Sequence, residues 1–105
     1  MNTIITRQDV ENALKNAFVL SDINLSGLDL SELNFHGVDL SGTNLSNANL
    51  TRADLTGANL TGADLRNTDF TQAALRRTNF KDANLEGAIF NGADLEIDTY
   101  DEVFF

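Results

Sequence analysis

The apolar residues of this chain recur with a period of five, a spacing that fits neither regular secondary structure. Leucine or phenylalanine occupies every fifth position from Leu20 to Leu95, sixteen times in succession. Steps of five residues rotate by about 500° around an α-helix, and they alternate between the two faces of a straight strand. A chain that runs extended for a short stretch and then turns the same way every five residues keeps the leucine and phenylalanine side chains on one side. The pattern therefore predicts a solenoid with these side chains inside.

The other positions of each five-residue unit also have a fixed character. The position two before the central residue is bulky at first, as in Ile23, and later becomes mostly alanine, with some threonine. Asparagine or aspartate lies between these two positions in thirteen of the sixteen units. All seven glycines fall two residues after the central one, where a corner needs a positive φ. We expect the small residues to point inward and the polar residues to point outward or lie at corners.

Residues 48 to 67, ANLTRADLTGANLTGADLRN, resemble the pentapeptide repeat family, whose unit is A(D/N)LxX. The resemblance extends over sixteen tandem units, residues 18 to 97. It implies an all-β solenoid, a right-handed quadrilateral β-helix of about four coils with four units to a coil. Residues twenty apart would then stack. The expected structural core includes a leucine column and a phenylalanine pair: Leu25, Leu45, Leu65, Leu85, Phe70 and Phe90.

The sequence before the repeats predicts a helix that caps the first coil. Thr6 is a candidate N-cap, and Asp9 lies three residues on, as in a capping box. Apolar residues then follow at helical spacing up to Phe18, so a helix over residues 6 to 18 is expected. A solenoid needs a lid over its end. The predicted organisation is an N-terminal segment with a capping α-helix (residues 1–17), the β-helix (18–97) and a C-terminal segment (98–105).

The C-terminal segment, residues 98–105, leaves the repeat and combines acidic with apolar side chains. Tyr100 and Phe105 keep the five-residue phase, and Val103 and Phe104 lie between them. These four residues are the candidate interaction site. Two interpretations stay open: the segment folds over the last coil as a lid, or it makes a homodimer contact, which some members of the resembled family use at this end.

The amino-acid composition limits which binding sites and reactions this chain can support. The formal charge of −9 argues against direct nucleic-acid binding, which needs a basic surface. The chain has no cysteine and one histidine, so thiolate metal sites and His clusters are excluded. No cofactor and no catalytic residues are predicted, and the chain is not expected to be an enzyme. No apolar run is long enough to span a membrane and no secretion signal is recognised, which predicts a cytoplasmic protein without membrane association.

The charge is unevenly distributed, and this bears on function. Residues 18–51 carry −4, residues 52–81 carry +2 and residues 82–105 carry −7. The first hypothesis is a non-catalytic solenoid that presents a rigid polar surface to an unknown protein partner. The alternative comes from the resemblance: some family members mimic DNA and protect a type II topoisomerase, gyrase. The basic belt at residues 52–81 interrupts a DNA-like negative field, and a rod this short would have to act as a dimer.

Overall fold

The computed structural model describes residues 5–16 and 19–95, and in it the chain stacks on itself every twenty residues. Each wall of a coil contributes a single bridging residue, and all the bridges between described residues are parallel. No strand longer than one residue forms among these residues. The chain returns to the same wall after four units, so each coil has four sides. One bridge from each wall illustrates the register: Asn24–Asn44, Asp29–Asn49, Asn34–Asp54 and Asp39–Asn59.

Backbone hydrogen bonds between coils hold the walls together. The N–H of Leu45 donates to the carbonyl of Asp64 in the next coil (2.8 Å), whereas Asn44 donates to Ile23 in the previous one (2.9 Å). Corner residues also bond from one coil to the next: the N–H of Gly62 donates to the backbone carbonyl of Lys81 (2.8 Å). A central coil is therefore bonded on both sides, as a strand is inside a sheet.

The corners have one backbone conformation whatever residue occupies them. The seven glycines lie there as predicted, with φ between 68° and 76°. Eight other residues adopt a similar positive φ, between 58° and 64°. The left-handed region costs a residue with a Cβ roughly 1–2 kcal/mol, so the repeat imposes this turn where glycine is missing. These eight are Asp22, Glu32, Asn47, Arg52, Asn67, Gln72, Arg77 and Asp82.

The interior is filled by the central residues of the units. Leu25, Leu45, Leu65 and Phe70 are fully buried. The ring of Phe70 stacks on that of Phe90 with centroids 5.1 Å apart and an interplanar angle of 9°. Exposure changes only at the last coil, where Phe90 and Leu85, the end of the leucine column, are partly exposed.

Buried threonines add hydrogen bonds inside the solenoid. The hydroxyl of Thr68 donates to the carbonyl oxygen of Leu45, 23 residues earlier, at 2.7 Å. Thr43 and Thr78 make the same bond at 2.6 and 2.7 Å with the carbonyls of residues 20 and 55. Threonine therefore replaces alanine at an inward position without leaving its hydroxyl unpaired.

Within the described residues one α-helix, α1, spans Arg7–Lys15. Thr6 is its N-cap and Asp9 completes the capping box, as the sequence predicts. The helix ends earlier than the predicted residue 18, because Asn16 leaves the helical conformation and bonds through its side-chain amide to the carbonyl of Asn12 (2.8 Å). The end of that prediction, residues 17 and 18, lies outside the described residues.

Helix α1 packs its apolar side against the first coil (residues 19–37). Val10 and Ala13 are buried and belong to the same apolar cluster as Leu20 and Leu25. A guanidinium nitrogen of Arg7 donates to the backbone carbonyl of Asp29 at 3.0 Å, which satisfies an acceptor in the first coil. The helix therefore contributes both apolar and polar contacts at this end.

Candidate interaction surface

The asparagine and aspartate residues of the walls bond to their own turns. In twelve of them the side-chain oxygen accepts the N–H of the residue two positions later, as Asn24 does from Ser26 at 3.0 Å. This is the Asx-turn arrangement, which fixes the chain as it enters a corner. The outward face of each wall is therefore made of side chains that the backbone already holds in place.

Serine and threonine at the corners strengthen this arrangement and keep several carboxylates ionised. The hydroxyl of Ser41 donates to Asp39 at 2.7 Å, and this bond, with the Ser41 N–H, lowers the pKa of Asp39 below its ordinary value. Ser31 lowers the pKa of Asp29 in the same way. Bonds from Thr56 lower the pKa of Asp54. These wall carboxylates thus carry their charge well into the acidic range.

Basic side chains of the central belt pair with neighbouring carboxylates. The guanidinium of Arg66 binds both carboxylate oxygens of Asp64, at 2.8 and 2.7 Å, and lowers the pKa of that carboxyl through these bonds. Arg76 lies 2.9 Å from Asp94, and Arg52 lies 3.9 Å from Glu32. Such exposed pairs stabilise the fold little. They do divide the surface into small patches of mixed sign.

Two large apolar side chains are exposed on the otherwise polar walls of the described residues. Val19 is 63% exposed and Ile89 is 42% exposed, each at a position where most units carry asparagine or aspartate. Their units consequently lack the Asx bond. Among the residues that the structure describes, no group of His, Asp and Glu side chains is placed to hold a metal ion, and His36 is an exposed corner residue. No helix in this part of the chain is long and apolar enough to cross a membrane.

The C-terminal end of the described solenoid is apolar. We call the inward side chains of the last three described units, residues 83–95, the end face. They are all partly exposed, whereas their counterparts twenty residues earlier are buried. The end face consists of Ala83, Leu85, Ala88, Phe90, Ala93 and Leu95.

The four residues singled out from the sequence for interaction, Tyr100, Val103, Phe104 and Phe105, lie outside the described residues. The end face itself is missed by sequence reasoning, because its residues are identical in pattern to the buried core. Only their place in the final coil distinguishes them. The sequence feature that could have identified them is the point at which the repeat stops.

The chain is similar to solved structures of cyanobacterial proteins. The protein alr5209 from Nostoc PCC 7120, a pentapeptide repeat protein, is 27% identical, with a TM-score of 0.56 over 91% of this chain and 100% of that one. HetL from Nostoc sp. strain PCC 7120, involved in heterocyst differentiation regulation, is 33% identical, with a TM-score of 0.45, and the match covers 84% of this chain and 43% of HetL.

A third match is QnrB1, a plasmid-mediated fluoroquinolone resistance protein, at 24% identity and a TM-score of 0.36. It covers 75% of this chain and 44% of QnrB1, so this chain spans less than half the length of both QnrB1 and HetL. No curated protein sequence matches the chain.

The family model for pentapeptide repeats matches in eight copies, over residues 19–57, 34–72 and 58–96. These residues are the ones that form the four-sided coils. The chain therefore belongs to the pentapeptide repeat family, whose members form right-handed quadrilateral β-helices.

Proposed function

We propose that this protein is a non-catalytic solenoid that presents its rigid polar walls to a protein partner. The observation that carries this proposal is the double anchoring of the walls: coils bond to each other through the backbone, and wall side chains bond to their own corners. Binding a surface whose side chains are already ordered costs less conformational entropy than binding a flexible one. The corner side chains that project from this framework are the contact positions.

The buried side supports the same proposal. Within the described residues every buried side-chain nitrogen or oxygen has a hydrogen-bond partner. Leucine, phenylalanine, alanine and threonine fill most of the space between the walls in the first three coils. The interior of these coils is a packed core, so a partner would be bound by the outer surface.

We assign helix α1 the role of cap at the N-terminal end. Val10 and Ala13 continue the core beyond the first coil, and Arg7 satisfies the carbonyl of Asp29. A repeat protein needs such a terminal element because its end repeats otherwise expose the core.

The experiment uses the absence of cysteine from the chain. A single cysteine introduced at one corner position of each wall (Ser26, Ser31, His36 or Ser41) gives a unique attachment site for a photo-crosslinker. A partner that recognises the walls is expected to crosslink from one wall, or from two adjacent walls, in cells of the source organism. Labelling of the same products from all four walls, or of none, would contradict the proposal.

The alternative, a DNA mimic that binds gyrase, is less well supported by the charges. Ion pairs at Arg52, Arg66 and Arg76 neutralise part of the surface that a mimic needs to keep negative. Four coils at about 4.8 Å each also make a rod shorter than one turn of DNA, about 34 Å. A gyrase supercoiling assay with and without a quinolone decides between them: protection by the wild-type protein would favour the mimic.

A further inference from the structure

The last described corner consists of an asparagine followed by a glycine. Asn91 and Gly92 are both exposed, and they form the only Asn–Gly pair in the sequence. Asparagine is a thermolabile residue, because the backbone nitrogen of the next residue can attack its side-chain carbonyl carbon and close a five-membered imide. Glycine is the most favourable next residue, since it has no Cβ to obstruct this approach. The pair therefore marks a place where the chain can modify itself.

The backbone around the corner glycines differs between the inner coils and the last coil. In the inner coils the N–H of Gly57 donates to the carbonyl of Arg76 at 2.9 Å, and that of Gly62 donates to Lys81 at 2.8 Å. Within residues 19–95 no backbone carbonyl accepts from the N–H of Gly92. The attacking nitrogen must lose its proton and turn toward the side chain, and a bond between coils opposes both changes. Gly92 is therefore the less restrained nucleophile.

The other asparagines of the coils are poorly placed for the same reaction. Wall asparagines such as Asn84 hold their side-chain oxygen in a bond, here with the N–H of Glu86 at 3.1 Å, and a bulky residue follows them. At the corner residues Asn47 and Asn67, the N–H of the next residue donates to the carbonyl two residues before the asparagine, at 3.0 and 3.2 Å. Asn91 thus differs from these residues in its neighbour and in the bonding of that neighbour.

We infer that Asn91 is a site of spontaneous deamidation in the folded protein, favoured over the inner corners because no described carbonyl holds the N–H of Gly92. The nitrogen of Gly92 forms a bond to Cγ of Asn91, and the bond from Cγ to the amide nitrogen breaks. Ammonia leaves with the proton of the Gly92 N–H. Water then opens the imide: cleavage at Cγ gives aspartate, and cleavage at the backbone carbonyl carbon gives isoaspartate.

The two products have different effects on the last described wall. Both add one negative charge, but only isoaspartate routes the main chain through Cβ and Cγ and so lengthens it by a methylene group. At this corner the carbonyl of Asn91 accepts from the N–H of Gln72 at 2.8 Å, and the next wall is held by the bond from Asp94 to Ala73 at 2.9 Å. Aspartate keeps this register, whereas isoaspartate shifts it.

The experiment follows the reaction in the intact, folded chain. After incubation in mildly alkaline buffer the protein is digested with trypsin, and the peptide that follows Lys81 contains both Asn84 and Asn91. Fragment masses should show a gain of about 1 Da at Asn91 and none at Asn84, with the aspartate and isoaspartate forms separated by chromatography. The rate should lie within about fivefold of that of a synthetic peptide of residues 88–95.

A matched variant tests why this corner reacts. Thr61→Asn creates a second Asn–Gly pair before Gly62, whose N–H is bonded to Lys81, and it keeps the bond from the N–H of residue 61 to Asn59. In the folded variant this inner pair should react at least about fivefold more slowly than Asn91, because the bond must first open. In urea the two pairs should react at similar rates.

Two results would overturn the proposal. The first is an unmodified Asn91 in the folded protein under conditions in which the synthetic peptide reacts fully. The second is an equal rate at the two Asn–Gly pairs of the folded Thr61→Asn variant, since the bonding of the glycine N–H would then not select Asn91. Circular dichroism of the variant before incubation establishes that its coils are folded.

Discussion

The two ends of this solenoid are built from the same repeat, but the described residues place a helix against only one of them. At the N-terminal end, helix α1 places Val10 and Ala13 on the core, and Arg7 bonds to a carbonyl of the first coil. At the C-terminal end, Leu85 and Phe90 remain partly exposed. The comparison shows that the position of a coil in the stack decides how deeply its central residue is buried.

The largest expected effect tests this within one column of leucines. Leu25→Ala removes a fully buried side chain and should lower the free energy of unfolding by about 3 kcal/mol. Leu85→Ala, three coils further along, should cost about 1 kcal/mol, because its environment is already partly open. Urea unfolding followed by circular dichroism measures both. Equal losses would break the comparison between the two ends.

The next largest effect concerns only the N-terminal end, where α1 lies. Val10→Ala in α1 should lower the free energy of unfolding by about 2 kcal/mol, since Val10 is buried against the first coil. Lys15→Ala, an exposed change in the same helix, is the control and should stay within about 0.5 kcal/mol. A Val10 variant as stable as the control would show that α1 contributes nothing to this end.

A smaller effect separates apolar exposure from hydrogen bonding. Thr43 and Thr78 lie near opposite ends, and both donate buried bonds to a carbonyl of the preceding coil. Thr43→Val and Thr78→Val should therefore cost about 1 kcal/mol each in thermal or urea unfolding. If Thr78→Val were neutral while Thr43→Val was not, the open end would be loosened in its bonding as well as in its packing.

The smallest effect is a dependence on pH. Asp29, Asp39, Asp54 and Asp64 have pKa values lowered by bonds from neighbouring residues. A lowered pKa in the folded state stabilises the protein above the ordinary value of 3.8, and this stability is lost as the pH falls below that value.

One carboxamide substitution tests that sign. Asp54→Asn keeps an oxygen acceptor for Thr56 but cannot be protonated. The drop in melting temperature between pH 6 and pH 3 should be smaller in this variant than in the wild-type protein. An identical drop would show that Asp54 does not contribute to the acid sensitivity.

The sequence predicts the core well because the interior depends on spacing alone. A five-residue period places Leu25, Leu45 and Leu65 inside whatever the detailed turn geometry. The number of walls does not follow from that period, since it depends on the angle of each corner. Only the family resemblance supplied the value of four, and the bridges between residues twenty apart confirm it.

Other features could not be predicted because they depend on local competition or on neighbouring coils. Eight corner residues other than glycine adopt a positive φ, which their identity alone disfavours, as at Arg77. The wall asparagines bond mainly to their own turns. One side-chain bond joins the wall residues of neighbouring coils, from the amide of Asn49 to the carboxylate of Asp29 at 3.4 Å.

The corner conformation has a consequence for how this molecule can change. Gly62, Arg52 and Gln72 all adopt the same left-handed turn. The path of the chain therefore hardly depends on which residue occupies a corner. Each corner side chain therefore occupies a site on a regular lattice, with its vertical neighbours twenty residues away. A surface of this kind can acquire a new pattern of charge one lattice point at a time while the rod beneath it keeps its shape.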